Sequence, residues 1–395
     1  MKRKIIISIT LIMLIICGSI LIKLRNDNNN FLTDNIETTL NEKDIKEEKK
    51  DFINDGGIFS DYYNLAKDKL NEMTIDEKIG QLFIVKYPNN TAAASIQKEY
   101  QFGGYIFFEE DFENKTEEEV KKMIDDIQTV SKIPLLTAVD EEGGEIIRVS
   151  TNERLAEEKF KSPSELYELG GMDLIKEDTL KKSDTLSKLG LNLNIAPVVD
   201  VSTNPEDYIH NRTIKQNTEI TSEYAKTVIE TSKKGNVSYV LKHFPGYGNN
   251  NSPHDGNVVD NRSYQSIIEN DIPPFEIGIK SGAEAILISH NIITNIDKEN
   301  PASLSKTIHN FLRTELNFTG IIITENLSEN NTEKDIKNSI MVGNNIIIIS
   351  DYKAAIETIK DSINNNEISE EQIDDLVLRV IAWKYYKGII YEKQK

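Results

Sequence analysis

The sequence predicts an α/β protein built as a single (β/α)8 TIM-type barrel, preceded by an N-terminal membrane anchor and a disordered stalk. Two observations predict the barrel: eight short runs rich in β-branched residues, and amphipathic helical stretches between them. Runs such as "GIIIT" and "NIIIIS" are apolar throughout, which is typical of parallel strands covered on both faces. A third observation, an apolar N-terminal run between basic residues, predicts the anchor.

Residues 1–25 form the predicted transmembrane anchor or signal segment. Three basic residues at positions 2–4 precede an apolar run from Ile5 to Ile22, which as a helix comes close to spanning the hydrocarbon layer. The alternatives are a cleaved signal peptide and a lipoprotein attached at Cys17. No small-residue cleavage site follows the run, and Ile16 stands before Cys17 where a small residue is expected. All three interpretations predict an extracytoplasmic protein, anchored to the cell membrane, secreted or lipid-linked.

Residues 26–57 are rich in Asn, Asp, Glu and Lys and contain few large apolar side chains. Such a segment cannot bury enough surface to offset the entropy lost on ordering. We therefore predict a flexible stalk over 26–57 and assign residues 58–395 to the barrel.

The predicted strands alternate with helices in a regular order. Strand candidates are Gln81–Lys86, Gly104–Phe108, Leu135–Asp140, Leu193–Val201, Val237–His243, Ala285–His290, Gly320–Glu325 and Asn345–Asp351. Helical candidates include Lys115–Ser131, Thr218–Lys234, Thr332–Met341 and Ser369–Tyr386. Eight strand–helix units favour a closed barrel over a doubly wound open sheet, because no glycine-rich dinucleotide turn follows the first strand.

Composition excludes several classes of protein. A net charge of -19 argues against a nucleic-acid partner, since phosphate binding needs a basic surface. The one cysteine, Cys17, lies in the apolar run, so the rest of the chain has neither a disulfide nor a cysteine zinc site. We expect no metal and no cofactor.

Ionisable residues follow many of the predicted strands. In a (β/α)8 barrel, the carboxyl ends of the strands form the active face. Packing alone does not explain so many charged or titratable groups there, and we predict a site at this face. The strand-end residues are Asp140, Asp200, Lys242, His243, His290, Glu325 and Asp351.

Several motifs occur together in a fixed order. The segment 242–248 reads "KHFPGYG" and is followed by "NNNSPHD"; 140–148 reads "DEEGGEIIR", and 194–201 reads "NIAPVVDV". "MTIDEKIGQLF" opens the series and "GIIITENLS" lies near its end. The chain from Met73 to about Gly388 thereby resembles glycoside hydrolase family 3, in its β-N-acetylglucosaminidase (β-N-acetylhexosaminidase) branch.

The resemblance implies hydrolysis of β-linked N-acetylglucosamine from cell-wall glycan or muropeptide fragments by a retaining mechanism. A carboxylate attacks the anomeric carbon, and water hydrolyses the glycosyl-enzyme. Carried over by position, Glu325 is the nucleophile and His254 the general acid/base. The residues that hold the sugar are then Asp140, Arg212, Lys242 and His243.

Two departures from the family pattern touch the chemistry. The nucleophile position, normally aspartate, is Glu325, whose side chain is one methylene longer. The family's aspartate two residues before the acid/base is Ser252 in this chain, so His254 lacks that carboxylate partner. Asp255 and Asp260 are candidate substitutes at a different spacing.

A third departure is Tyr247, which replaces the second histidine of the family's "KHFPGHG".

The sugar-holding residues are intact while the nucleophile and the partner of the acid/base depart from the family pattern, and this combination leaves three hypotheses open. The protein is a hydrolase impaired by these changes, a non-catalytic binder of N-acetylglucosamine or muropeptides, or a structural component of an envelope complex.

Overall fold

The computed structural model describes residues 56–88, 92–248, 250, 258–327 and 332–391. These residues belong to one compact unit. The predicted anchor, nearly all of the predicted stalk and His254 lie outside the described residues. Within the described ranges, no helix has the length and apolarity needed to cross a membrane.

The described residues contain ten strands, and eight of them match the predicted ones. They are β1 (Phe83–Lys86), β2 (Gly104–Phe107), β3 (Leu136–Val139), β4 (Leu193–Asn194), β5 (Ser238–Phe244), β6 (Val259–Asp260), β7 (Ala285–Ile288), β8 (Ile292–Ile293), β9 (Ile321–Thr324) and β10 (Ile347–Ile349). The pairing of β6 with β8 forms a separate two-stranded parallel ribbon that the sequence analysis did not predict.

The other eight strands form one parallel sheet in the order β10-β1-β2-β3-β4-β5-β7-β9. A parallel bridge between Ile323 and Ile346 joins the two ends of that order, and Thr324 N donates to Ile346 O at 3.0 Å. The sheet therefore curls into a barrel, and the doubly wound alternative is wrong. Because every strand points the same way, their carboxyl ends meet at one mouth.

Strand β4 is much shorter than its prediction over 193–201. Pro197 lacks an N–H and cannot donate to a neighbouring strand. The chain still follows β5, because Lys242 N donates to Pro197 O at 3.2 Å and Val199 N donates to Lys242 O at 2.8 Å. The irregular backbone keeps the segment beside β5 without a regular ladder.

Helices surround the barrel between its strands. They are α1 (Tyr63–Asn71), α2 (Ile75–Gln81), α3 (Ala93–Tyr100), α4 (Glu109–Phe112), α5 (Glu117–Thr129), α6 (Pro163–Lys188), α7 (Thr218–Ser232), α8 (Tyr264–Asn270), α9 (Ile272–Lys280), α10 (Lys306–Asn310), α11 (Glu333–Val342), α12 (Tyr352–Asn364) and α13 (Glu370–Tyr386). Local sequence sets several of the starts through capping boxes, as at Thr116 with Glu119 and at Ser369 with Gln372. The four predicted helices named above are confirmed to within two residues at either end.

The core consists of the strands and the inward faces of the helices. Strands β2, β3, β5, β7 and β9 are buried at every residue, as the uninterrupted apolar runs predict. Helix α13 packs Trp383 fully into this core. The last helix thus closes the fold against the first strands and helices.

Candidate active site

A cavity of about 230 Å³ opens at the carboxyl ends of the barrel strands. Charged and polar side chains meet there from the residue that follows β3, from β5 and from the segment after β9. The apolar part of the lining includes Ile106 and Leu287. The polar lining residues are Lys86, Asp140, Tyr208, Arg212, Lys242, His243, Tyr247, Glu325, Asn326 and Ser350.

Glu142 is buried beside the cavity lining and binds two of the cations that line the cavity, Arg212 and Lys242. Its carboxylate accepts from Arg212 Nε at 3.0 Å and Nη2 at 2.7 Å, and its Oε1 lies 2.5 Å from Lys242 Nζ. The Glu142 side chain is only 1% exposed. Gly143 follows with φ of +103°, and a Cβ there would come within 2.1 Å of the Lys161 carbonyl oxygen. The "EEGG" turn therefore needs glycine at that point.

Asp140 and His243 extend the same cluster. Asp140 Oδ1 accepts from Lys242 Nζ at 2.7 Å. His243 Nε2 lies 3.3 Å from Arg212 Nη2. The four predicted sugar-holding residues are therefore in mutual contact, directly or through Glu142, and each lines the cavity.

Asp200 holds the backbone and ring of the "KHFPGYG" segment. Its Oδ2 lies 3.0 Å from the backbone nitrogen of His243 and 2.9 Å from that residue's Nδ1. Its Oδ1 accepts from the backbone N–H of Tyr247 at 2.6 Å. Burial alone would raise the pKa of Asp200, but His243 and these hydrogen bonds lower it. The fixed carboxylate orients the imidazole, with Nε2 directed at Arg212.

Glu325 follows β9 and receives a hydrogen bond at each carboxylate oxygen. The hydroxyl of Tyr247 donates to Oε1 at 3.1 Å, and the backbone N–H of His290 donates to Oε2 at 2.8 Å. The His290 ring turns the other way, with Nδ1 2.7 Å from Ser303 Oγ. Glu325 and Asp140 thus present two carboxylates to one cavity.

The electrostatics of the cavity follow from burial and charge pairing. Burial would raise the pKa of Glu142, but the charges of Lys242 and Arg212 outweigh it and lower the pKa to about 2. Burial would lower the pKa of Arg212, but Glu142 raises it above its ordinary value. Burial, reinforced by the charge of Glu325, raises the pKa of the Tyr247 phenol. Glu142 and Arg212 therefore stay ionised, and the Tyr247 phenol stays protonated, across the physiological pH range.

Five of the six predicted site residues meet at this cavity; the sixth, His254, lies outside the described residues. Asp260, a candidate partner for His254, is engaged elsewhere: Arg262 Nη2 donates to its Oδ2 at 2.8 Å. Of the predicted strand-end residues, Asp200, His290 and Asp351 do not line the cavity.

Two participants were not predicted from the sequence. Glu142 was not singled out, although its place in "DEEGG" puts it two residues after the predicted site residue Asp140. Tyr247 was noted only as a departure from the family pattern. Its contact with Glu325 spans 78 positions of sequence, and no local pattern predicts it.

A parallel eight-stranded barrel with carboxylates and paired cations at its mouth places the protein in the class of (β/α)8-barrel enzymes, whose active sites lie at that face. The sequence profile of the glycosyl hydrolase family 3 N-terminal domain matches residues 74–383, most of the chain. The chain therefore belongs to glycosyl hydrolase family 3, as the motifs predicted.

Several known proteins and solved structures are similar to this chain. β-Hexosaminidase LpqI of Mycobacterium tuberculosis is 23% identical over 324 residues, 78% of this chain and 82% of the relative. The periplasmic β-glucosidase of Salmonella typhimurium is 25% identical over 342 residues, 82% of this chain and 42% of the relative. The structure of a family 3 β-N-acetylglucosaminidase from Paenibacillus sp. superposes with a TM-score of 0.75 at 24% identity, covering 82% of this chain and 64% of that one. At that identity the structural likeness shows the fold alone.

Proposed function

We propose that this protein hydrolyses β-linked N-acetylglucosamine from cell-wall glycan or muropeptide fragments by a retaining mechanism. The observation that carries the proposal is the Glu325 carboxylate, which faces the same cavity as the Asp140, Lys242, Arg212 and His243 cluster. The relatives named β-hexosaminidase support an N-acetylhexosamine substrate. The β-glucosidase relative makes the amino-sugar preference a separate point to test.

In the proposed reaction Glu325 attacks the anomeric carbon while His254 protonates the departing glycosidic oxygen. The bond to the leaving group breaks as the ester to Glu325 forms, and water later attacks the same carbon with His254 as base. Asp140 accepts hydrogen bonds from sugar hydroxyls, while Arg212 and Lys242 donate to hydroxyl or acetamido oxygens. The longer Glu325 and the absence of an aspartate at Ser252 reduce the rate in this proposal, because misplacing a reacting atom by about 1 Å costs on the order of 100-fold.

Turnover of an aryl N-acetyl-β-glucosaminide by wild type, Glu325→Gln and Glu325→Asp tests the nucleophile. Glu325→Gln cannot form the ester, and we expect its rate to fall on the order of 10⁴-fold. Glu325→Asp distinguishes a site that is adapted to glutamate from a site that has lost its aspartate without compensation. The rate falls if the site is matched to glutamate, and rises by about 100-fold if reach alone limits a site that has drifted. Equal rates in all three proteins would remove Glu325 as the nucleophile.

A second candidate function is non-catalytic binding of N-acetylglucosamine or muropeptides. It is favoured by the departures from the family pattern at Glu325 and Ser252, beside an intact sugar-holding cluster. Calorimetric titration with N-acetylglucosamine separates the candidates. Binding without any turnover of the aryl glycoside would support the binder.

For location, we propose an extracytoplasmic barrel over 58–395, carried on a stalk over 26–57 and tethered by the segment 1–25. The motivation is the basic-flanked apolar run at the N-terminus, and one relative is named as periplasmic. Protease treatment of intact spheroplasts expressing the full chain tests this topology. Complete protection of the barrel would contradict it.

A further inference from the structure

Two of the positions at which this chain departs from the family pattern are in contact. Glu325 stands where aspartate is usual, and Tyr247 stands where the second histidine of "KHFPGHG" is usual. The phenol oxygen of Tyr247 lies 3.1 Å from Glu325 Oε1, and both residues line the cavity. Changes that meet at one hydrogen bond are best explained together.

Tyr247 is held rigidly enough to fix its partner. Its side chain is 1% exposed and packs in a small buried cluster with Val198 and Ile209. Its ring meets the His243 ring edge-on at a centroid distance of 5.0 Å. The backbone N–H of Tyr247 donates to Asp200 Oδ1 at 2.6 Å. The backbone of Tyr247 is therefore fixed as well as its ring.

A phenol at this position is a constant donor, whereas a histidine would not be. Burial and the charge of Glu325 raise the pKa of Tyr247, so its proton stays on the phenol. An imidazole presents a donor or an acceptor at a given nitrogen according to its tautomer. Tyrosine therefore supplies a hydrogen bond to the carboxylate that does not depend on pH near neutrality.

Glutamate needs such a partner more than aspartate does. Its additional side-chain torsion lets the carboxylate occupy more positions, and ordering it costs rotamer entropy. The backbone N–H of His290 fixes Oε2, and Tyr247 fixes Oε1. Each carboxylate oxygen keeps a further lone pair for attack on the sugar.

We propose that Tyr247 is a positioning residue, matched to Glu325, that holds the longer carboxylate in line with the anomeric carbon. This inference rests on the proposed hydrolysis. The phenol transfers no proton and remains a donor to Glu325 before and after the glycosyl ester forms. It acts on the rate of glycosylation rather than on sugar binding.

The test is a double-mutant cycle of Tyr247→Phe and Glu325→Asp, with kcat and KM measured on a phenyl N-acetyl-β-glucosaminide, whose poor leaving group favours formation of the glycosyl-enzyme as the slow step. In the Glu325 background, Tyr247→Phe removes a hydrogen bond to a charged group, and we expect kcat to fall about 10- to 100-fold at an unchanged KM. The shorter aspartate no longer reaches the phenol. In the Glu325→Asp background the same change should therefore cost less than about 3-fold.

Tyr105→Phe is the matched control. Tyr105 is another fully buried tyrosine, and its hydroxyl has no hydrogen-bond partner within the described part of the chain. It lies outside the cavity lining. We expect its kcat and KM to equal those of wild type, while thermal melting of every variant reports whether it is folded.

The outcomes separate this inference from the function on which it rests. Absence of turnover in wild type overturns the proposed hydrolysis and the role of Tyr247 with it. Normal turnover with an unaffected Tyr247→Phe, or an equal loss in both backgrounds, overturns the role of Tyr247 alone. If Tyr247→Phe melts early, Tyr247→His replaces it in the cycle. That change should slow the Glu325 enzyme more than the Glu325→Asp enzyme, and equal effects count against the match.

Discussion

Each end of the barrel contains a buried lysine, and the two lysines are compensated differently. At the carboxyl ends of the strands, Lys242 Nζ lies 2.7 Å from Asp140 and 2.5 Å from Glu142, at the wall of the cavity. At the amino ends, Lys384 Nζ donates to Gln81 Oε1 at 2.8 Å and to Gly103 O at 2.9 Å. One lysine has carboxylate partners and the other has neutral acceptors.

This difference distinguishes the cavity end of the barrel from the opposite end. At the cavity, Lys242 is buried together with the carboxylates that pair with it. Neutral partners do not offset desolvation, and burial lowers the pKa of Lys384 to about 7. The two buried lysines thus differ in their partners: Lys242 is paired with carboxylates at the cavity, and Lys384 is hydrogen-bonded to neutral acceptors at the amino ends of the strands.

The largest expected effect comes from breaking the charge pairing at the cavity. Glu142→Gln leaves Arg212 and Lys242 without their shared carboxylate, and we expect the free energy of unfolding to fall by about 3–5 kcal/mol at pH 7. The Glu142 pKa is lowered from 4.5 to about 2 in the folded state, so its contribution is present above pH 4.5 and is lost as the pH falls toward 2.

Urea unfolding at several pH values measures that loss. The difference from wild type should shrink on acidification through this window. Glu145→Gln is the control, because Glu145 is exposed in the same loop and should change stability by less than about 0.5 kcal/mol. A stable Glu142→Gln protein at pH 7 would show that the cations are compensated by other groups.

Lys384→Met tests the opposite end of the barrel. The folded-state pKa of about 7 lies below the ordinary value of 10.5, so the unfolded chain binds more protons between these values. Lys384 therefore makes the free energy of unfolding rise with pH from about 7 to 10.5. We expect Lys384→Met to remove that rise and to match or exceed wild-type stability at pH 7.

Unfolding curves of both proteins at pH 7 and pH 9.5 provide the measurement, since the other titrating groups cancel in the difference. Lys353→Met, a change at an exposed position on α12, should leave the pH dependence as in wild type. An identical slope in wild type and Lys384→Met would mean that Lys384 is not buried as a desolvated amine.

The smallest expected effect concerns ligand affinity at the cavity. Asp140→Ala removes an acceptor of sugar hydroxyls, and we expect N-acetylglucosamine binding to weaken by about 1–3 kcal/mol. Calorimetric titration measures the change. Asp173→Ala, at an exposed position on α6, should bind as wild type does. Unchanged affinity in Asp140→Ala would take this carboxylate out of the sugar site.

Local features of the chain were sufficient to predict much of the fold. The apolar runs at 321–324 and 347–349 predicted buried strands, and the amphipathic stretch Ser369–Tyr386 predicted the last helix. Strand β4 was overestimated because apolar composition outweighed Pro197 in the prediction. The ribbon of β6 and β8 was missed because each strand has only two residues, too few to show a pattern.

The sequence by itself determined which residue types stand at the strand ends. The apolar strand runs and the order of the motifs can be read directly from the sequence. They place Asp140, Lys242 and Glu325 at the carboxyl ends of strands, on one face of the barrel. Only the tertiary structure decided which of them touch. Lys242 meets Asp140 across 102 positions, and Tyr247 meets Glu325 across 78. Such contacts depend on closure of the barrel and on the conformation of each side chain. Neither can be predicted from a local sequence pattern.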